Sequence, residues 1–280
     1  MDTFHIINFH AIFAENAFCL SKRLGVDIVS DFKPQDGHTY ITFGAHEQAA
    51  NLLMMQQKQQ NFKLIIINSE PPLSQFLKNK YYISLMRSNI VYDYHELSAQ
   101  HLTSLGIRVY SRYCFEFVFQ PAHDEPRPID IFFCGSRTPR REAIYQKLKE
   151  RYPDKNIVFD FDWKYADQAE LTKVLQQSAT VLNIPYHFHN ILETHRIHKS
   201  LACGCEVVSL YSGDKLTDDF YDPYVYFTHD LFEHFDWPEM PLHMQKQKLK
   251  YPHLVQALSN YTQHNKYIID QLIRLDCASV

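Results

Sequence analysis

Short apolar runs alternate with stretches of helical spacing along most of the chain. Phe4–Phe9 alternates as a strand does, and Ala14, Ala17, Phe18, Ser21 and Leu24 are spaced for a helix that Gly25 closes before a second strand at Val26–Val29. Thr39–Phe43 reads as a third strand, Glu47 to Gln60 as a helix and Lys63–Asn68 as a buried strand. Glu70-Pro71-Pro72 then interrupts regular structure, because proline continues neither a ladder nor a helix interior. A helix over Gln75–Arg87, a strand at Asn89–Tyr92, a helix at Leu97–Leu105 closed by Gly106 and a strand at Ile107–Tyr110 follow. Strands and helices alternating at this spacing predict a parallel α/β sheet.

Pro121, Pro126 and Pro128, with charged residues among them, read as a short linker, after which the pattern restarts. Ile129–Cys134 is a strand and Gly135-Ser136 a turn. Thr138-Pro139 starts a helix that runs to Tyr152, with proline where its missing N–H costs nothing. A strand at Asn156–Phe161 and a helix at Gln168–Gln177 lead into Val181–Leu210, the most informative stretch. There a strand (Val181–Ile184), a histidine-bearing loop (Pro185–Asn190), a helix (Ile191–Ala202), a glycine turn at Gly204 and a strand (Glu206–Leu210) succeed one another, the unit that builds parallel sheets. Tyr224–Phe227 reads as a last strand and Gln245 to Arg274 as mostly helical.

At 280 residues the chain is long enough for two domains. A net charge of −4 argues against a nucleic-acid binder that works by bulk charge, and no apolar run reaches the length of a membrane span. The start, MDTFHIINFHAIF, has neither a basic region nor a small-residue cleavage site, so no signal peptide is expected. Six cysteines without a C-x-x-C pair suggest free thiols in a reducing, cytoplasmic compartment. Cys203 and Cys205, on either side of Gly204, read as small buried side chains.

The helix after Val181–Ile184 carries Glu193, Arg196 and Lys199 at three-residue spacing. Residues three apart share a face, so all three are expected to point into one crevice. Two cations beside a helix N-terminus suit a diphosphate, and a carboxylate suits the hydroxyls of a ribose or a sugar. A solvated charged face would show the same spacing. Two metal patterns compete. Asp160-Phe161-Asp162 is a D-x-D triplet, and alternation at a strand end puts both carboxylates on one face. His187, His189, His195 and His198 fall close together, but sixteen histidines in the chain make such clusters frequent. Neither pattern is preferred, and no metal ligand is assigned.

The run E-x-x-R-x-x-x-x-L-A-C-G-C-x-V-V-S, from Glu193 to Ser209, resembles the donor-site signature of GT-B glycosyltransferases. It is closest to the branch of CgeB-like and related capsule or lipopolysaccharide enzymes. Asn68-Ser69-Glu70-Pro71, Val91-Tyr92-Asp93-Tyr94-His95 and Ile129–Ser136 followed by an arginine-rich helix fit the same branch in the same order. One departure stands out. Many GT-B enzymes hold the nucleotide ribose with a glutamate directly before the A-L-A-C-G-like turn, and this chain has Lys199 there.

The resemblance implies an α/β GT-B fold of two Rossmann-like domains facing a cleft. Residues 1–122 would form the acceptor domain, 128–245 the donor domain, and 246–280 a helix crossing back to the first. It implies metal-independent transfer of a hexose or pentose from a nucleotide sugar, a co-substrate in a protein without a cofactor, to a glycan, glycoprotein or glycolipid acceptor. The alternative is a non-catalytic nucleotide-sugar-binding or scaffolding module. Charge growing on the leaving phosphate must be met by fixed positive groups. Gly135, Ser136, Arg137 and Arg140 at one strand–helix turn, with Arg141 beside them, and Glu193, Arg196 and Lys199 at the other are the candidates. Asn183 and Tyr186 are placed to touch base or sugar, or to satisfy loop backbone. An inverting transfer needs a base. His10, Glu15 and Asn16, Glu70 and Asp93 follow strands of the first half, with Glu15 and Glu70 preferred.

Overall fold

The computed structural model describes residues 3–46, 48–111, 115–121, 126–162, 164–165, 167–186, 191–232 and 257. The chain folds as two compact units. Of the described residues, those within 3–7 and 29–115, and 257, belong to the first, and those within 8–28 and 116–232 to the second.

The strands in chain order are β1 (Phe4–Asn8), β2 (Asp27–Val29), β3 (Thr39–Phe43), β4 (Lys63–Asn68), β5 (Ile90–Asp93), β6 (Val109–Tyr110), β7 (Ile129–Cys134), β8 (Ile157–Asp160), β9 (Ser178–Asn183), β10 (Glu206–Leu210) and β11 (Tyr226–Thr228). The helices are α1 (Ala14–Leu24), α2 (Gln48–Gln57), α3 (Lys80–Arg87), α4 (Glu96–Ser104), α5 (Pro139–Arg151), α6 (Gln168–Gln176), α7 (Thr194–Ala202) and α8 (Lys215–Tyr221). Two sheets form, β2-β1-β3-β4-β5-β6 and β11-β10-β9-β7-β8. β3 to β6 pair in parallel, as do all strands of the second sheet. The fold is α/β with two Rossmann-like domains. Buried parallel strands are apolar on both faces, and the five residues of β3 and of β10 are all buried. No described helix is long and apolar enough to cross a membrane.

In each sheet the strand order reverses once, between β1 and β3 and between β7 and β9. Crevices outside the carboxyl ends of strands at such points are where open α/β sheets place ligands. In the second unit, Ile131, Phe133, Leu182, Val208 and Leu210 pack with α5 on one face of the sheet. Val181, Cys203, Cys205 and Ile129 pack with α6 on the other. Burial raises the Cys203 and Cys205 thiols to about 11 and about 12, in keeping with a packing role. The turn after α7 is pinned from outside. Arg127 donates to Ser178 O at 2.6 Å and to Cys203 O at 3.1 Å, and Gln120 N donates to Ala202 O at 3.0 Å. Gly204 sits in this turn with φ 72°, where a Cβ would meet Arg127 Nη2 and Pro121 Cβ at 3.1 Å each.

The predicted elements differ from these in informative ways. The helix expected at Gln75–Arg87 is split: a 3-10 turn at Gln75–Lys78 gives way to α3, because the Asn79 side chain accepts from Tyr81 N and caps a new start. The helix expected from Ile191 begins only at Thr194, since Ile191 and Leu192 are buried in a non-helical lead-in. Helix α8 was not foreseen. The C-terminal helix expected over 246–280 lies outside the described residues. Sequence places α1 within the first domain, whereas in the structure it belongs to the second unit, where Glu15 and Asn16 find their partners.

One buried group carries a measurable consequence. Glu206 opens β10 beside its register partner Thr180, and neither Glu206 Oε2 nor Thr180 Oγ1 has a hydrogen-bond partner among the described residues. Burial raises the Glu206 carboxyl to about 7. Its folded-state pKa lies above the unfolded value, so its stabilising contribution is full at low pH and is lost as pH rises through about 7. Glu206→Gln is therefore expected to raise stability at pH 8 by on the order of 2 kcal/mol, and to change it much less at pH 5. Urea melts at the two pH values test this.

Candidate functional site

The site is built at the reversal point of the second sheet. β7 ends at Cys134 and turns through Gly135 into α5; β9 ends at Asn183, and α7 is the next described helix. Thr138 caps α5 by accepting from Arg141 N at 3.2 Å, and Pro139 occupies the first turn. That start throws Arg141 inward.

Arg141 is 2% exposed. Its Nε and Nη2 donate to Ile184 O at 3.1 and 2.5 Å, its Nη1 donates to Ser136 O at 2.9 Å, and its Nη2 lies 3.3 Å from Glu193 Oε1. Four donor contacts to fixed oxygens tie the loops after β7 and β9 together. Burial, then the charge of Arg196, lowers its guanidinium to about 10, which leaves it protonated at neutral pH.

Arg196 comes from the first turn of α7. Its Nη1 donates to Asn183 Oδ1 at 2.9 Å and lies 2.6 Å from Glu193 Oε2. Asn183, fully buried, donates in turn to Ser209 Oγ at 3.0 Å. Glu193 thus bridges two guanidiniums, and its Oε1 also accepts from Tyr186 N at 2.9 Å. Two cations and one carboxylate leave a net charge of +1.

Gly135 makes this convergence possible. A Cβ there would meet Arg196 Nη2 at 3.1 Å, Phe133 Cζ at 3.2 Å and Arg141 Nη1 at 3.3 Å. Both guanidiniums lie over the Phe133 ring, at 4.9 Å for Arg141 and 5.0 Å for Arg196. Arg196 Nη2 lies against the glycine with no hydrogen-bond partner among the described residues, so it keeps donors for an anion.

The other candidates are placed as follows. Arg137 is exposed, stacks on Phe161 at 4.5 Å, pairs with Glu142 and lies 3.8 Å from Asp162. Arg140 is half-buried and Ser136 contributes its carbonyl to Arg141. Tyr186 is exposed beside Arg141. Gly135, Ser136, Asn183, Tyr186, Glu193 and Arg196 are brought together directly, whereas Arg137 lies on the adjoining edge.

Lys199 is turned away from this group, a correction to the expected single crevice. Every three residues of an α-helix fall about 60° short of a full turn, so Arg196 still reaches Glu193 while Lys199, six residues on, faces elsewhere. Lys199 is 2% exposed and forms an ion pair with Glu15 of α1, its ammonium 5.6 Å from the Phe117 ring. Glu15 Oε1 accepts from Val118 N at 2.9 Å. Both oxygens of Glu15 are engaged, which does not suit the base role expected of it. One turn earlier, His195 Nε2 lies 2.9 Å from Asn16 Oδ1. Burial lowers the His195 imidazole to about 3, so it is neutral at ordinary pH.

Asp160 of the D-x-D triplet accepts from three backbone N–H groups, those of Asp162, Lys164 and Tyr165, all at 3.1 Å. It shapes its own loop, while the Asp162 side chain is exposed. Among the histidines, His198 pairs with Tyr221 and His195 with Asn16; His187 and His189 lie outside the described residues.

In the first unit, the carboxyl ends of β4 and β5 hold a buried polar network. Asn68 Nδ2 donates to Asp93 Oδ2 at 2.6 Å, Ser98 Oγ to the same oxygen at 2.8 Å, and Tyr82 OH to Asn68 Oδ1 at 2.8 Å. Burial raises the Asp93 carboxyl to about 7 against the hydrogen bonds that lower it. Glu70 accepts from Ser74 Oγ at 2.6 Å, and His46 Nδ1 lies 3.6 Å from its other oxygen. His46 was not singled out in the sequence, although it follows Gly44 at the carboxyl end of β3.

No protein-family model matches the chain, and no curated protein does. Among solved structures, it is similar to the Glycosylation Associate Protein (Gap123) complex from Streptococcus agalactiae. The TM-score is 0.51 at 10% identity, over 92% of this chain and 57% of that one. It is also similar to the pneumococcal O-GlcNAc transferase GtfA in complex with UDP and GlcNAc, with a TM-score of 0.45 at 10% identity, over 92% of this chain and 58% of that one. The chain spans less than two thirds of the length of either. The likeness to the first is one of fold.

The Lys199–Glu15 pair yields a stability test. Glu15→Ala leaves a buried ammonium without its counter-charge and is expected to cost about 3–5 kcal/mol, whereas Glu15→Leu combined with Lys199→Met recovers most of that loss. Denaturant melts of the three proteins check the outcome; a double variant as unstable as the single one would contradict it.

Proposed function

We propose that the protein is a glycosyltransferase that takes a nucleotide sugar as donor on its second unit and transfers the sugar to a glycan, glycoprotein or glycolipid. The observation that carries this is the pair of guanidiniums converging on Gly135 with a net charge of +1. It lies at the strand-order reversal, where α/β sheets bind ligands.

The chemistry follows from the charges. When the bond between the sugar and the phosphate breaks, its electron pair leaves with the phosphate oxygen. Arg196, with unspent donors, contacts that anion, and Arg141 adds charge from behind without donating to it. Arg137 and Arg140 reach the outer phosphate, and the turn at Gly135-Ser136 admits it closely. Preorganised donors in a site shielded from water act more strongly than they would in bulk solvent. In this reading the arginines supply the positive charge that a divalent ion would otherwise bring, and transfer proceeds without one. Glu70 remains the candidate base of the first unit. The GT-B resemblance and the shared fold with a glycosylation-associated protein support the same assignment.

A second reading has its own observation. Glu15 is committed to Lys199 and Val118, which removes one of the two expected bases and suits a module that binds a nucleotide sugar without turning it over.

A thermal-shift panel of nucleotides and nucleotide sugars separates the two. A donor present at a hundred times its Kd stabilises by about 2.7 kcal/mol, and Arg196→Ala is expected to abolish the shift. Turnover that survives EDTA supports the enzyme; binding with no hydrolysis or transfer supports the module. A panel without any shift would refute both.

A further inference from the structure

One helical layer of the first unit differs in charge from the rest of the chain. Between Gln48 and Tyr92 the sequence holds five cations, Lys58, Lys63, Lys78, Lys80 and Arg87, and one carboxylate, Glu70, whereas the whole chain carries −4. All five cations are exposed. The Glu70 side chain is 13% exposed and accepts from Ser74 Oγ. α2 and α3 lie in this stretch, and neither contains a carboxylate. They connect β3 to β4 and β4 to β5, two adjacent parallel pairs. Right-handed crossovers that advance in one direction put both helices on one face of the sheet, and there they pack side by side. Gln57 and Asn89 exchange side-chain hydrogen bonds at 2.9 and 3.1 Å and join the carboxyl ends of the two helices.

The outward faces of these helices are not uniformly polar. α2 buries Ala50 and Leu53, while Leu52 and Met55, one turn apart on its other side, are 43% and 54% exposed. α3 buries Tyr82, Leu85 and Met86 and exposes Lys80, Arg87 and Tyr81, with the Lys80 ammonium 5.1 Å from the Tyr81 ring. The segment leading into α3 adds Lys78 and Leu73, the latter 56% exposed. An exposed apolar side chain by itself is ordinary; four set among cations on one helical layer mark an interaction surface. We propose that this α2–α3 face docks on an anionic lipid surface. Leu52, Met55, Leu73 and Tyr81 would enter the headgroup layer, and Lys58, Lys78 and Lys80 would meet its phosphates. The composition selects this occupant. Protein interfaces are depleted in lysine. Anionic lipid attracts it, and its long stem can lie along apolar surface while the ammonium stays in water. The apolar side chains supply area that charge attraction alone would leave unused. This inference stands on the first unit's surface and does not depend on the donor reading.

The test sediments the full chain with vesicles of phosphatidylcholine alone and of equal parts phosphatidylcholine and phosphatidylglycerol. The variants are Lys78→Gln with Lys80→Gln, Leu52→Ser with Met55→Ser, and a charge-matched control, Lys147→Gln with Lys149→Gln, at exposed positions of α5. Each is checked by melting temperature and gel filtration. The wild type is expected on the anionic vesicles only, and to leave them as salt is raised. Loss of the two lysines should weaken partitioning about thirtyfold, at about fivefold per charge. Loss of the two apolar side chains should weaken it about tenfold, and the control pair should bind as the wild type does. A wild type that binds neither vesicle, or both equally, would overturn the proposal, as would a control pair weakened as much as Lys78→Gln with Lys80→Gln. A lowered melting temperature in Leu52→Ser with Met55→Ser would mean that the chain's own residues cover the face. A wild-type dimer that these substitutions dissociate would mean that a second copy does. A soluble acidic peptide bound as tightly as the vesicles, with the same dependence on Lys78 and Lys80, would assign the face to an acidic protein. Each of these three results also overturns the proposal.

Discussion

Two guanidiniums held side by side away from water repel one another, and the site exists because the Glu193 carboxylate lies between them. At about 4 Å and an effective dielectric constant near 20, each like-charge or opposite-charge contact is worth about 4 kcal/mol. The sign at this one position therefore decides whether the loops after β7 and β9 can close together. The neighbouring features serve the same arrangement. Gly135 leaves room for both cations. Asn183 turns Arg196 toward the bridge and is itself held by Ser209 on the adjacent strand. Arg141 ties both loops by their carbonyls. Burial lowers its pKa, yet at about 10 it still contributes a full charge at neutral pH.

Much of the architecture was legible in the sequence because the second unit punctuates its elements strongly. β7 and β10 have the predicted bounds, as do β3 and β4, since apolar runs flanked by glycine, proline or a capping residue admit one assignment. Elements whose ends depend on tertiary burial were misjudged. Ile191 and Leu192 have helical spacing and are buried in a non-helical lead-in, and nothing local distinguishes the two outcomes. The contact between Glu193 and Arg196 was legible in the sequence, whereas that between Lys199 and Glu15 was not. Glu193 and Arg196 form the expected pair, but a three-residue spacing was extended to Lys199, where the drift of the helix carries the side chain to another face. Arg141 read only as one of several arginines in a first turn. That it would be the buried one depends on the cap at Thr138 and on a carbonyl 43 residues away in sequence.

The first unit shows a different use of polar groups. Asn68, Asp93, Ser98 and Tyr82 satisfy one another at the ends of two adjacent strands. A network of this kind is costly unless complete, because each unpaired member would keep its desolvation penalty. Here it fixes the segment that carries Glu70, whose backbone N–H donates to Asn68 Oδ1. The carboxyl ends of β4 and β5 thus hold the Glu70 segment in place, and Asp93, whose carboxyl is raised by burial to about 7, accepts there from Asn68, Ser98 and the His95 N–H.

Helix α7 is fastened at every side. Glu193 secures its beginning, Arg127 and Gln120 hold the backbone at its end, and Asn16, Glu15 and Tyr221 grip side chains along its length. A segment so anchored has little freedom left to surrender when a ligand arrives. The entropy of ordering it is met during folding, so the free energy of contact with the anion proposed to bind there would not be diverted into arranging the groups that make it. Selectivity toward such a ligand would then be set by the shape and charge that folding leaves behind, since a ligand of the wrong length could not recruit this helix to meet it.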